Sequence, residues 1–238
     1  MPEAKPVVYV VDDDVDVRQS LQLLISTTGC ESQTFGSAQE FLSRRRVPAP
    51  SCLVLDVNLP DLNGLDLQER IAAEMPVIVI TGYGDVPMSV RAMKAGAIEF
   101  LTKPFGEGAL LDAIQNAIDR SWNALKEETE MRALRDRYAS LSSREREVMA
   151  LVACGRLNKQ VGGDLGISEV TVKAHRGNTM RKMKARTFSD LVEMATRLGL
   201  RSRTRAKTAA PLSWHVGGDR RDVDTRIGRE RSDRKSLN

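Results

Sequence analysis

Cysteine and histidine are scarce in this chain, with three and two residues among 238. Cys30, Cys52 and Cys154 lie far apart and form no Cys-x-x-Cys pair, which argues against a zinc site and against a disulfide framework. The thiols are expected to be reduced, as in a cytosolic protein. Long apolar runs are missing as well: there is no stretch of 18 apolar residues, and the N-terminus lacks the basic and apolar regions of a secretory leader. The expectation is a cytoplasmic protein with no membrane segment.

Charge is present but unevenly spread. Residues 1–120 carry ten Lys and Arg against seventeen Asp and Glu, residues 142–200 carry eleven against six, and residues 201–238 carry eleven against five. An acidic front half precedes a basic back half, and that asymmetry suggests an anionic partner for the back half, nucleic acid first. A length of 238 residues exceeds one ordinary core and suits two domains with a linker.

Over the first 120 residues, short β-branched runs alternate with amphipathic stretches. The runs 7–11, 31–35, 52–55, 77–80 and 98–101 have the length of strands. Between the first two, Val17, Leu21, Leu24 and Ile25 recur at helical spacing, and Ser37-Ala38-Gln39-Glu40 has the form of a capping box. Five strands alternating with helices predict an α/β domain, a doubly wound five-stranded parallel sheet covered on both faces.

In such a sheet the functional crevice lies outside the carboxyl ends of the strands, where the strand order reverses. The residues at those ends are Asp12, Asp13 and Asp14 after the first strand, Asp56 after the third, Thr81 after the fourth and Lys103 after the fifth. Clustered carboxylates need a cation, and hard oxygen ligands beside a phosphate are what Mg²⁺ prefers. A carboxylate can also attack phosphorus to give an acyl phosphate, with Thr81 and Lys103 supplying a hydrogen bond and a positive charge to the incoming oxygens. Asp56, alone after its strand, is the natural nucleophile. Singly, each residue has a simpler reading: Asp14 and Asp16 as caps of the next helix, Thr81-Gly82 as turn residues, Lys103 as a surface lysine before a helix breaker. Their joint occurrence at four strand ends favours a site.

Val11-Asp12-Asp13, Asp56 with Pro60 and Gly64, Thr81-Gly82, Ala95-Gly96-Ala97 and Lys103-Pro104-Phe105 follow in an order and spacing that resembles the receiver domain of two-component response regulators, over residues 7–120. The resemblance implies phosphoryl transfer from a sensor histidine kinase to Asp56. It also implies Mg²⁺ held by Asp13, Asp56 and the backbone carbonyl of Asn58, with Asp12 acting largely through water. A switch is implied in which Thr81 is drawn inward and Phe100 rotates with it, although Phe100 also reads as a half-buried strand residue. The implied output face is the fourth helix, fifth strand and fifth helix.

From residue 121 to 141 the chain is charged and holds no Gly or Pro. Ala124, Met131, Leu134, Tyr138 and Leu141 fall near heptad positions, but Glu127 interrupts them. A solvated helical linker over 121–136 and a short dimerising helix both fit. Ser142-Ser143-Arg144-Glu145 then forms a second capping box, Gly155 and Gly166 end helices, Ser168 caps another, and residues 188–198 give a fourth. The outcome is a small all-α four-helix module over 137–200. Residues 158–165 and 168–185, joined at Gly166-Ile167, form a helix-turn-helix arrangement, with the motif at about 158–177, whose second helix enters the major groove. Val172, Met180 and Met183 share one face of that helix, while Lys173, Ala174, Gly177, Arg181 and Lys184 share another. Residues 201–238 shift to Arg, Lys, Ser, Thr and Asp without apolar periodicity, the composition of a basic disordered tail that either solubilises or adds nonspecific attraction to DNA.

Residues 141–148, Gly155, Asn158-Lys159, Ile167-Ser168, residues 171–176 and Lys182-Met183 resemble the DNA-binding domain of LuxR-type regulators, and residues 81–88 are similar to the FixJ branch of receivers. The resemblance implies DNA contacts at Lys159, Thr171, Lys173, Ala174, Arg176, Gly177, Arg181, Lys182 and Lys184. Lys173 and Ala174 would approach bases, whereas Arg181, Lys182 and Lys184 would contact phosphates. His175 reads more simply as a packed, hydrogen-bonded residue. Gly162-Gly163 departs from the family's usual alanine, and Gly177 stands where relatives often carry a base-reading side chain. Each interior glycine costs about 0.5–1 kcal/mol of helix stability.

The whole chain thus reads as a transcription regulator of the FixJ/NarL type. The resemblance implies that phosphotransfer to Asp56 promotes homodimerisation and binding to double-stranded promoter DNA, with RNA polymerase as a further expected partner. Enzymatic activity is expected only as Mg²⁺-dependent self-phosphorylation and self-dephosphorylation. Two rivals are an aspartyl-phosphate phosphatase or phosphotransferase, and a phosphorelay interaction protein without DNA binding.

Overall fold

The computed structural model describes residues 5–45 and 47–200. Two compact units divide between Ser142 and Ser143. The expectation of a disordered tail falls on residues 201–238, outside the described residues.

The first unit contains β1 (Val7–Val11), α1 (Val15–Ser26), β2 (Glu31–Phe35), α2 (Ala38–Leu42), β3 (Ser51–Asp56), α3 (Gly64–Ile71), β4 (Val77–Thr81), α4 (Val86–Lys94), β5 (Glu99–Thr102) and α5 (Glu107–Ala139). The strands pair in parallel in the order β2-β1-β3-β4-β5, the doubly wound sheet that the alternating runs predict. Successive side chains leave a strand on opposite faces. Val7, Tyr9, Val11, Leu53, Leu55, Val77 and Val79 therefore bury one face against Phe41 of α2, Leu67 and Ile71 of α3 and Ala92 of α4. Val8, Val10, Cys52, Val54, Ile78 and Ile80 bury the other against Leu21 and Ile25 of α1 and Leu110, Ile114 and Ala117 of α5. A strand covered on both faces has no polar side to show, which explains the unbroken apolar runs. Full burial of each such aliphatic side chain contributes about 1.5–3 kcal/mol.

Strand bounds differ from the expected runs by one residue at several ends: β3 spans Ser51–Asp56 and β4 reaches Thr81. The edge strand β5 begins one residue later than the 98–101 run, at Glu99, because its exposed first and last residues dilute the apolar signal. The residues expected as a helical linker, 121–136, are helical and continue α5, a single helix of 33 residues. No Gly or Pro interrupts it between 121 and 139.

The second unit holds α6 (Ser143–Ala153), α7 (Asn158–Leu165), α8 (Glu169–Met183) and α9 (Phe188–Arg197). Gly155 and Gly166 adopt φ of 84° and 66°, the left-handed conformation that ends a helix. Ser168 Oγ accepts the Thr171 N–H at 3.1 Å and so starts α8. Helix α8 packs on α6 and α7, burying Val172, Thr179 and Met183. Among the described residues no helix is long and apolar enough to cross a membrane.

Candidate functional site

Strand register assembles the acidic edge. Val11 pairs with Leu55, Asp56 with Ile80 and Thr81 with Thr102, so Asp12, Asp56, Thr81 and Lys103 emerge side by side where the order reverses between β1 and β3. Asp12 is fully buried and Asp56 is 3 % exposed. Lys103 Nζ donates to Asp12 Oδ2 at 2.6 Å and to Asp56 Oδ1 at 2.8 Å. The remaining carboxylate oxygens accept backbone amides: Asp12 Oδ1 from Asp14 at 3.0 Å, and Asp56 Oδ2 from Asn58 at 2.6 Å. One ammonium thus serves two buried carboxylates.

Burial pushes the Asp56 carboxyl above its ordinary value, against the hydrogen bond and charge of Lys103. For Lys103, burial works to lower the ammonium, but the hydrogen bonds and charges of Asp12 and Asp56 outweigh it and raise it. The two directions agree with a cluster whose two acids outnumber its one base.

Asp13 and Asn58 are exposed beside this pair. Asp14 has a separate role, as the N-cap of α1: its Oδ1 accepts the Asp16 N–H at 2.8 Å and the Val17 N–H at 3.4 Å. Among the described residues no group of three or more His, Cys, Asp or Glu is arranged to hold a metal ion, so Asp12, Asp13 and Asp56 are not a preassembled cage. Mg²⁺ needs only one or two protein carboxylates and keeps several waters. Two buried carboxylates that share one ammonium, next to exposed Asp13 and Asn58, are a hard-oxygen set short of positive charge, and these residues fit the ion.

Thr81 is fully buried, and its hydroxyl donates to the Tyr83 carbonyl at 3.1 Å while accepting the Tyr83 N–H at 3.2 Å. The structure therefore ties Thr81 to the β4–α4 loop. Phe100 is half-buried and packs with the core face that includes Ala92 of α4. A side chain at Gly84 would lie 3.1 Å from the Phe100 ring and 2.5 Å from Thr102, so the loop after Thr81 sits directly on Phe100.

Three further residues position the site, of which Arg18 and Asp61 carry no sequence signal. Arg18 Nη1 donates to the Asp12 carbonyl at 2.6 Å and pins the acidic loop. Asp61 reaches across to α2, accepting the Ala38 and Gln39 amides at 3.1 and 2.7 Å, which anchors the loop that follows Asp56. These amides hold its carboxyl below the ordinary range. At Gly64 a Cβ would strike the Asp56 carbonyl oxygen, so only glycine lets α3 start so close to that strand. An i+6 arginine and a contact spanning 22 residues leave no local signal, whereas Gly64 stands at a fixed spacing after Asp56.

In the second unit the cations divide into two groups. Lys173 and Arg181 are exposed on α8, Lys184 at its C-cap and Lys159 on α7, and Lys173 Nζ lies 3.3 Å from Glu169 Oε1. Arg176 and Lys182 turn toward neighbours. The Arg176 guanidinium lies 4.5 Å from the Phe188 ring centroid and 3.5 Å from Asn158 Oδ1. Lys182 Nζ donates at 2.7 Å to Glu145, a buried carboxylate on α6. Glu145, expected to complete a capping box, also holds α8 to α6. Thr171 shares a hydroxyl contact of 2.8 Å with Ser168 at the helix start. Ala174 and Gly177 are exposed, and His175 is half-buried. Gly162 is buried where a Cβ would lie 2.7 Å from the Ile167 carbonyl, which gives the departure from alanine a packing reason.

Residues 8–115 match the family described as "Response regulator receiver domain", and residues 139–195 match "Bacterial regulatory proteins, luxR family". Nodulation protein W of Bradyrhizobium diazoefficiens is 47% identical over 199 residues, 82% of this chain and 88% of that protein. Response regulator protein TmoT of Ectopseudomonas mendocina is 43% identical over 201 residues, covering 83% and 91%. Transcriptional regulatory protein FixJ of Azorhizobium caulinodans is 41% identical over 203 residues, covering 84% and 96%. Among solved structures, the response regulator StyR superposes with a TM-score of 0.73 at 46% identity, covering 82% of this chain and all of that one. The chain belongs to the two-component response regulators of the FixJ type, which join a receiver domain to a LuxR-type DNA-binding domain.

Proposed function

We propose that this regulator is switched by phosphoryl transfer from a sensor histidine kinase to Asp56. The observation that supports it best is the Lys103 ammonium held at 2.6 and 2.8 Å between the buried carboxylates of Asp12 and Asp56. An Asp56 oxygen attacks phosphorus, the bond from phosphorus to the kinase histidine nitrogen breaks, and the nitrogen keeps that electron pair. Lys103 moves its charge onto the incoming oxygens, as preorganised electrostatic stabilisation requires. Asp13, Asp56 and the Asn58 carbonyl would hold Mg²⁺, with Asp12 acting through water; when bound, the ion offsets phosphoryl charge. The same residues would support self-phosphorylation from a small donor and self-dephosphorylation by water.

To reach the phosphoryl group, the Thr81 hydroxyl leaves the Tyr83 carbonyl, which releases the loop resting on Phe100, and the two side chains move together. The adjoining helix α4 exposes Val86, Val90 and Met93 at i, i+4 and i+7, an apolar stripe suited to homodimerisation on phosphorylation. With residues 7–120 as receiver, 121–136 as linker and 137–200 as DNA-binding domain, a two-fold dimer sets two α8 helices on paired promoter half-sites, within reach of RNA polymerase. Lys173 and Ala174 meet bases, and Lys159, Arg181 and Lys184 meet phosphates. Thr171 starts the helix and Gly177 leaves room at the groove, while Arg176 and Lys182 hold α8 in place.

The test is intact-mass measurement after incubation with a small phosphoryl donor and Mg²⁺. Wild type and Asp14→Ala should each gain one phosphoryl group, and Asp56→Asn and Asp13→Ala none. A label on Asp56→Asn, or equal losses in the Asp13 and Asp14 variants, would contradict the assignment.

A further inference from the structure

The outward line of α8 is chemically plain. Val170, Ala174 and Gly177 follow one another at i, i+4 and i+7, which places them within an arc of about 60° on a helix of 3.6 residues per turn. Val170 is 75 % exposed, Ala174 and Gly177 are exposed, and nothing lies within 4 Å of where a Gly177 side chain would begin. No hydroxyl, amide or guanidinium stands on this line before Arg181.

Val170 occupies the second position of α8, after the Ser168 cap and Glu169. In a helix-turn-helix domain the N-terminal residues of the recognition helix meet base edges in the major groove. Every base edge there is polar except one group, the C5-methyl of thymine. An aliphatic side chain at this position has no hydrogen bond to offer a base, and a valine that loses its water against a methyl gains apolar burial. Lys173 beside the line and Arg181 and Lys184 at its C-terminal end supply the positive charge that seats a helix between phosphates, so the occupant of this apolar line is duplex DNA.

We infer that Val170, with the small Ala174 and Gly177 beside it, is a specificity-determining contact that reads thymine methyl groups in the operator half-site. This rests on the DNA-binding reading above. Small residues at 174 and 177 let the helix lie deep in the groove, and Val170 then discriminates thymine from cytosine by the methyl alone. No bidentate guanidinium or amide contact to a purine is available from these three positions.

The test uses the phosphorylated full-length chain and a duplex recovered by selection from random DNA. Each thymine is replaced singly by deoxyuridine, which lacks only the methyl. Wild type should lose about three- to fivefold in affinity at one or two thymines of each half-site, the effect of one methyl group removed from water. Val170→Ala should bind the parent duplex more weakly by a similar factor and be indifferent to the same replacements. If wild type binds the duplex and no deoxyuridine replacement matters, or the loss persists undiminished in Val170→Ala, the inference is overturned while DNA binding stands. A deoxyuridine series on wild type that shows no loss overturns the inference even where the variant folds poorly. If selection recovers no duplex at all, the DNA-binding reading itself has failed and the inference with it.

Discussion

Lys103 and Asp56 are 47 residues apart in the chain, yet Nζ meets Oδ1 at 2.8 Å at the carboxyl edge of the sheet. The same ammonium reaches Asp12 at 2.6 Å, so removing it leaves two buried carboxylates facing each other. Lys103→Met is expected to lower unfolding stability by about 2–3 kcal/mol, below the usual loss for a broken buried pair because the lysine side chain is 25 % exposed. Urea denaturation at neutral pH in chelated buffer measures it. Adding Mg²⁺ should recover part of the loss, since a second cation then serves the pair. An unchanged midpoint would contradict the electrostatic role of Lys103.

The pH dependence has a definite sign. Burial raises the Asp56 carboxyl above 3.8, so the folded chain holds a proton that the unfolded chain releases. In chelated buffer, the stability of wild type relative to Asp56→Asn should fall as pH rises from 3.8 through the higher folded-state value. Asp190 behaves oppositely: the Thr187 hydroxyl and the Thr187 and Arg186 amides hold its carboxyl below 3.8. Its contribution is present above 3.8 and is lost as pH falls through the lower folded-state value. Denaturation midpoints across a pH series for Asp56→Asn and Asp190→Ala should therefore deviate from wild type in opposite directions. Slopes of the same sign would refute the assignment.

Lys182 separates a structural cation from a DNA-binding one. Its ammonium is 2.7 Å from the buried Glu145 carboxylate, so Lys182→Met should lower the melting temperature, with about 1–3 kcal/mol lost with that charged hydrogen bond. Arg181→Met should leave melting unchanged and weaken DNA binding across sequences, with a shallower salt dependence. Calorimetry and a salt titration distinguish them. If Lys182→Met weakens DNA binding without moving the melting temperature, Lys182 is a phosphate contact after all.

The two adjacent glycines of α7 should respond differently to alanine. Gly163 is exposed with open space where a Cβ would go, so Gly163→Ala should gain about 0.5–1 kcal/mol from helix propensity. At Gly162 the new Cβ would meet the Ile167 carbonyl at 2.7 Å, and the backbone must shift, which cancels that gain. Equal stabilisation by both substitutions in thermal melts would show that α7 does not need the close approach.

Much of the sheet edge was legible because each polar residue followed an apolar run, and parallel pairing places successive run ends together. Asp14 was separable from Asp12 and Asp13 because capping is a local rule, and the Asp16 amide bond bears it out. Arg18 and Asp61 were invisible because their partners are carbonyls and amides, which every residue carries. On α8, periodicity identified the outward face but not the fate of its flanking cations. Whether Lys182 meets phosphate or protein depends on Glu145, 37 residues earlier on another helix. The capping-box pattern at Glu145 carried no sign of its ion pair with Lys182, because that partner lies on another helix. The continuity of α5 was only half visible: the absence of Gly and Pro permitted it, but composition alone does not show where one helix joins the next.

The most direct test of the central claim is the affinity of the full-length chain for a selected promoter duplex, with and without a small phosphoryl donor, in wild type and Asp56→Asn. Wild type should bind at least tenfold more tightly once phosphorylated and shift to a two-fold complex on paired half-sites, while Asp56→Asn stays at the unphosphorylated level in both conditions. Equal tightening by the donor in Asp56→Asn, or no tightening in a wild type shown to carry the acyl phosphate, would contradict control of DNA binding through Asp56.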